Sequence, residues 1–138
     1  MKKLIVAGSA GFCFGVRRSV DMAEKLLDEH GNCASLGELI HNEDVVGALK
    51  ARGMRVVQSP EEVEAGERVL VRAHGVAPEV YTALEQAGAE VYAATCPKVK
   101  AIHRIVANAK EEGRFTVVIG MRAHPEVNAI CGWCGSGG

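Results

Sequence analysis

Two cysteines, three histidines and one glutamate carry most of the chemistry this sequence can do. All six stand where a predicted β-strand gives way to a turn. Cys13 follows the apolar run Leu4–Gly8, His41 follows Ala34–Leu36, and His74 follows Arg68–Arg72. Cys96 follows Ala89–Tyr92, and His124 and Glu126 follow Phe115–Gly120. In an open parallel α/β sheet the strands all point one way, so such turns share a rim, and ligands bind in the crevice along it. Thiolates, imidazoles and a carboxylate on one rim predict a metal or cluster site beside a pocket for a polar substrate.

Each segment has a plainer reading as well. Gly11-Phe12-Cys13-Phe14-Gly15-Val16-Arg17-Arg18 joins a strand to a helix. Its glycines let the backbone approach a bulky ligand. The helix start and Arg17/Arg18 favour a thiolate, the metal-binding form, at Cys13. The plainer reading is a thiol packed between two phenylalanines. Thr95-Cys96-Pro97 repeats the arrangement, with Pro at the first helical position. Alone, Cys96 reads as a turn cysteine; with Cys13 on the same rim it reads as a second ligand. His41 and His74 lie beside capping or small residues and suit donation to phosphate or diphosphate oxygens. A single such histidine would be structural, and three at one rim reverse that. In Ala123-His124-Pro125-Glu126 the pair can supply an anion donor and a general acid; in isolation Glu126 is a helix-start carboxylate favoured by the dipole. Cys131-Gly-Trp-Cys134 is a CxxC, the form of a dithiol redox pair or half a zinc site. With no second pair at similar spacing it is read as structural or incidental. Cys33, His30 and His103 are read as packing or surface residues.

The elements that must position these residues alternate. Strands are predicted at Lys3–Gly8, Cys33–Leu36, Arg55–Gln58, Arg68–Arg72, Ala89–Tyr92 and Phe115–Gly120. Helical spacing of Val16, Val20, Ala23, Leu26 and Leu27 predicts a helix over Val16–Glu29, stopped by Gly31. Asn42 can cap a helix reaching Ala51, Ser59-Pro60-Glu61-Glu62 opens a short one, and Pro78 opens Glu79–Gln86. Pro97 opens a helix to about Glu112, and a last one is barely begun near Val127–Ile130. Repeated βα units with short connections mean an α/β fold, a parallel sheet with flanking helices. The expected organisation is one complete lobe over residues 1–96, holding the rim cysteines, and an incomplete second lobe over 97–138.

Composition bounds the function. The 138 residues are 48% hydrophobic and 24% charged, with net charge −1 and no basic block, which argues against a nucleic-acid surface. No apolar run approaches the roughly 18–20 residues of a membrane span. The run after Met1-Lys2-Lys3 is shorter than the roughly 7–15 apolar residues of a signal peptide. A cytoplasmic protein is expected, its five cysteines being thiols or metal ligands.

Taken together, the strings GFCFGVRRSVDMAEK, LGELIHNEDVV, VRAHGV, ATCPKVKAIHR and HPEV, in that order, resemble the 4-hydroxy-3-methylbut-2-enyl diphosphate reductase family. The resemblance implies α/β lobes around a central cavity that holds a 4Fe–4S cluster. Cys13 and Cys96 would be two of its ligands, the third cysteine ligand being absent from this chain. It implies that His41, His74 and His124 contact the diphosphate and that Glu126 feeds protons to the allylic hydroxyl. The implied oxidoreductase step removes that hydroxyl as water with two electrons and two protons, leaving isopentenyl and dimethylallyl diphosphate for non-mevalonate isoprenoid synthesis. The implied partners are the small allylic diphosphate and an electron-donor protein such as ferredoxin or flavodoxin. One ligand short, the chain alone is expected to be inactive. The competing class is a non-catalytic metal- or anion-binding α/β module that uses Cys131 and Cys134 with Cys13 or Cys96 for zinc. A dithiol oxidoreductase acting through Cys131 and Cys134 is a third.

Overall fold

Four short strands, each mostly apolar, form the centre of the molecule. The computed structural model describes residues 2–135. Helix α1 spans Phe14–His30 and leads to strand β1, Cys33–Leu36. Then come α2 (Glu43–Ala51), β2 (Met54–Val57), a 3₁₀ turn at Pro60–Glu62 and β3 (Arg68–Val71). The rest are α3 (Pro78–Gln86), β4 (Glu90–Ala93), α4 (Pro97–Glu111) and α5 (Pro125–Cys134). The strands form one sheet in the order β2-β1-β3-β4, and all three pairings are parallel.

Period-two alternation splits the sheet's side chains between two cores. Leu70 of β3 faces Ala23, Leu26 and Leu27 of α1 and Val46 and Leu49 of α2. Ala34, Leu36, Val69 and Val71 face the other way, onto Leu84 of α3. Leu49, Leu70 and Leu84 are completely buried, each contributing about 1.5–3 kcal/mol of transfer free energy. Both faces are therefore covered, as a parallel sheet requires. Glycine stops end the elements as expected: Gly31 is left-handed (φ 75°) and donates its N–H to the Leu27 carbonyl.

Two expected strands are not strands. Lys3–Gly8 and Phe115–Gly120 are irregular, and Leu4 (89%), Phe115 (78%) and Ile119 (95%) are exposed. A strand exists only through hydrogen bonds to a neighbour, and neither segment pairs with the sheet. The chain after Phe115–Gly120 goes further than expected, into a ten-residue helix, α5. This helix packs on α4: the Trp133 and His103 rings stack at 5.3 Å and 18°. Trp133 Nε1 also donates to the Val76 carbonyl at 3.0 Å, which ties α5 to the turn after β3. His103 is thus a buried packing residue, as read from the sequence. No described helix is long and apolar enough to cross a membrane.

Candidate functional site

The sheet order creates the site. From β1 the chain turns toward β2; from β3 it turns the opposite way, toward β4. The carboxyl ends of β1 and β3 therefore flank a topological switch point, where a crevice opens in such sheets. His41 lies in the segment after β1 and His74 in the segment after β3. Their ring centroids are 4.6 Å apart. His124, which caps α5, completes the group at 5.6 Å from His74 and 6.1 Å from His41. One ring nitrogen from each lies within 4.8 Å of the others.

Local chemistry holds each ring. Asn42 caps α2 by accepting from the Val45 N–H at 3.0 Å, which anchors the residue after His41. Gly75, after His74, is left-handed (φ 73°), and a Cβ there would lie 2.5 Å from the His103 ring, so the His74 turn closes directly on α4. His124 Nδ1 accepts from the Glu126 N–H at 3.2 Å. A neutral imidazole whose Nδ1 accepts carries its proton on Nε2, so His124 presents a donor to the crevice. That suits an anion and opposes metal ligation through the same nitrogen.

Electrostatics point the same way. His74 is held neutral, its pKa pushed down to about 4, mainly by burial and then by the His41, Arg72 and His124 charges. Its Nδ1 is buried without a partner. Arg72, whose pKa burial lowers, also has an unpartnered Nε, and its Nη1 packs against Gly37 beyond β1. In the sequence this cation is signalled only as a charged residue closing the apolar run Val69-Leu70-Val71, which does not single it out as a site residue. Positive charge, buried donors and helix N-termini all favour a multiply charged anion here. A cavity of about 160 Å³ opens beside the rings, walled by Phe12, Val16, Ile40 and Ala73 with His41 and His74.

Cys13 and Cys96 stand at the N-cap positions of α1 and α4. A Cβ built on Gly15, in the first turn of α1, would lie 2.6 Å from Cys96 Sγ, so the sulfur rests on the helix that Cys13 heads. The Cys96 N–H donates to the Ala73 carbonyl at 3.0 Å, joining this corner to the His74 turn. Phe12, next to Cys13, walls the histidine cavity. Thiols at helix N-termini are of the donor type that an iron–sulfur group takes.

Glu126 is half-buried in the first turn of α5, and its carboxylate lies outside the close histidine group. Cys131 and Cys134 sit in the last turn of α5, half-buried. Among the described residues they form no three-ligand group with Cys13 or Cys96, so the zinc arrangement finds no support in the geometry. Cys33 is a core thiol whose pKa is raised to about 11 by burial and by Glu67.

Comparison with known proteins places the fold among relatives. Residues 4–137 match the LytB protein family. The chain is 44% identical over 134 residues to the 4-hydroxy-3-methylbut-2-enyl diphosphate reductase of Aquifex aeolicus, covering 96% of this chain and 46% of that protein. It is 39% identical over 137 residues to the enzyme of the same name from Caldanaerobacter subterraneus subsp. tengcongensis, covering 96% and 47%. The fold superposes on a solved (E)-4-hydroxy-3-methyl-but-2-enyl diphosphate reductase with a TM-score of 0.82 and 44% identity, covering 94% of this chain and 46% of that one. It also superposes on the E-1-hydroxy-2-methyl-but-2-enyl-4-diphosphate reductase of Plasmodium falciparum with a TM-score of 0.88 and 25% identity, covering 91% and 40%. The chain spans about half the length of the relatives it matches.

Proposed function

The chain belongs to the LytB protein family, and from that membership we propose that it forms part of a reductase acting on 4-hydroxy-3-methylbut-2-enyl diphosphate. The observation that carries the reading is the convergence of His41, His74 and His124 at the switch point, at 4.6–6.1 Å between rings. In this reading residues 1–96 make the first lobe and residue 97 onward begins the second. Cys13 and Cys96 are two thiolate ligands of an iron–sulfur cluster, and an electron-donor protein supplies the reducing equivalents.

The histidine crevice binds the diphosphate. His124 donates from Nε2, and His74, short of a partner at Nδ1, gains one from a phosphate oxygen. Arg72, whose charge reaches His74, offsets the anion's charge. Phe12, Val16 and Ile40 face the apolar prenyl carbons and keep water out. A bound cluster would supply electrons for cleaving the allylic carbon–oxygen bond. Glu126, at the start of α5, supplies the proton with which the hydroxyl leaves as water.

Calorimetric titration with the allylic diphosphate tests the crevice. The parent chain binds, and His41→Ala, His74→Ala and His124→Ala each weaken binding roughly tenfold or more, the scale of a lost charge-assisted hydrogen bond. Unchanged affinity in all three variants would remove the histidines from the site.

A further inference from the structure

We infer that α1 does more than carry Cys13: its Gly15 and Arg18 form the seat that sets where the Cys96 sulfur stands. Three contacts support it, all non-local. Gly15 leaves the gap in which Cys96 Sγ lies, since a Cβ there would come within 2.6 Å of the sulfur and 3.0 Å of its Cβ. Arg18 Nη1 reaches the carbonyls of Ala93 and Thr95, at 3.4 Å each, on the two sides of Ala94 just before the cysteine. Ser19, fully buried, lies 2.9 Å from the intervening Ala94 carbonyl and shares its single hydroxyl proton between that oxygen and the Gly15 carbonyl of its own helix, at 3.0 Å. Three successive carbonyls before Cys96 are thereby held by one helix turn.

The turn after β4 could have been held by many surfaces. It is held by the helix that Cys13 caps, so the separation of the two thiols is set by one rigid turn. An iron–sulfur group tolerates little error in sulfur spacing, and groups that orient ligands matter nearly as much as the ligands. Gly15 and Arg18 are thus positioning residues.

The inference rests on Cys13 and Cys96 being ligands, and the test separates the two claims. The chain is reconstituted anaerobically with iron, sulfide and excess small thiol, which fills the positions that Cys13 and Cys96 do not. Bound iron, bound sulfide, visible absorption and iron loss to a chelator are measured. A parent that takes up no iron overturns the ligand reading and the seat with it. Cys13→Ser and Cys96→Ser abolish bound iron if the ligand reading holds. Gly15→Ala and Arg18→Met then lose iron roughly tenfold faster than the parent, the range for groups that orient a ligand. Arg18→Lys, which keeps the charge and not the fork, recovers only part of that loss. Ser35→Ala is the control for general destabilisation: Ser35 is fully buried, and its hydroxyl donates to the Gly37 carbonyl at 2.8 Å and to neither Cys13 nor Cys96. It keeps its iron.

Gly15→Ala is the most pointed variant. Alanine favours helix over glycine but its Cβ crowds Cys96, so the melting temperature is read beside the iron: a role in packing alone moves the melting temperature and leaves the chelator rate unchanged. Iron held as firmly in Gly15→Ala and Arg18→Met as in the parent, while the cysteine variants lose theirs, overturns the seat. So does a loss in Ser35→Ala equal to theirs. Iron retained by Cys13→Ser and Cys96→Ser overturns both the seat and the ligand reading.

Discussion

Acid should weaken this protein through His74. The folded ring takes its proton at about 4, the unfolded one near the ordinary 6.5. Between those values the unfolded chain binds more protons than the folded chain, so stability falls as pH drops. It is intact above about 6.5, declines toward 4, and stops declining below 4, where both states are charged. The fall from 6.5 to about 4 sets a ceiling of about 3 kcal/mol. The ring keeps part of its hydration, so the expected loss is nearer about 2 kcal/mol. Urea unfolding at intervals from pH 7.5 to 4.5 measures it, with His74→Asn as the variant that cannot charge. His103, whose pKa burial also lowers, leaves a smaller decline in both proteins. Inorganic diphosphate adds a second arm, because an anion against His74 stabilises its charged form and raises the folded pKa. Saturating diphosphate should flatten the decline in the parent and do little in His74→Asn. The reasoning fails if parent and variant lose stability in parallel, or if diphosphate leaves the parent's pH dependence untouched.

Three further outcomes are expected. Trp133→Ala removes the stack on His103 and the bond to the Val76 carbonyl; thermal melting should show a loss of about 2 kcal/mol, from roughly 1 kcal/mol each for an aromatic pair and a hydrogen bond. The same variant should weaken diphosphate binding, because α5 carries His124. Leu70→Ala, at a fully buried site in a central strand, should cost about 3 kcal/mol in urea with an unchanged slope. Gly75→Ala meets both a left-handed backbone (φ 73°) and the His103 ring; a cost of about 2 kcal/mol is expected by denaturation, and none would show that the turn relaxes freely.

Much of this protein is legible in one dimension. Helix starts are local chemistry: Asn42 before α2, Pro78 in α3, Pro97 in α4 and Pro125 in α5 stand where the backbone needs a cap or a preset φ. Short runs between turn residues mark β1 to β4, and His41, His74 and Cys96 can be named because they follow β1, β3 and β4. Cys13, His124 and Glu126 are expected after two further strands that do not form, and stand instead at the starts of α1 and α5. What the residues could not announce is who neighbours whom. Leu4–Val6 and Phe115–Ile119 have the composition of strands and are none, because a strand needs a partner and the pairing is a property of the assembled sheet. Strand order decided that His41 and His74 flank the switch point. A single helix, α5, brought His124 to them across some fifty residues of sequence, held by Trp133 on Val76. The seat of the Cys96 sulfur on Gly15 and the buried cation at Arg72 likewise exist only between segments distant in sequence. Propensity and capping act over a few bonds and so are written in the chain; proximity of distant residues is created by packing, and only the folded molecule contains it.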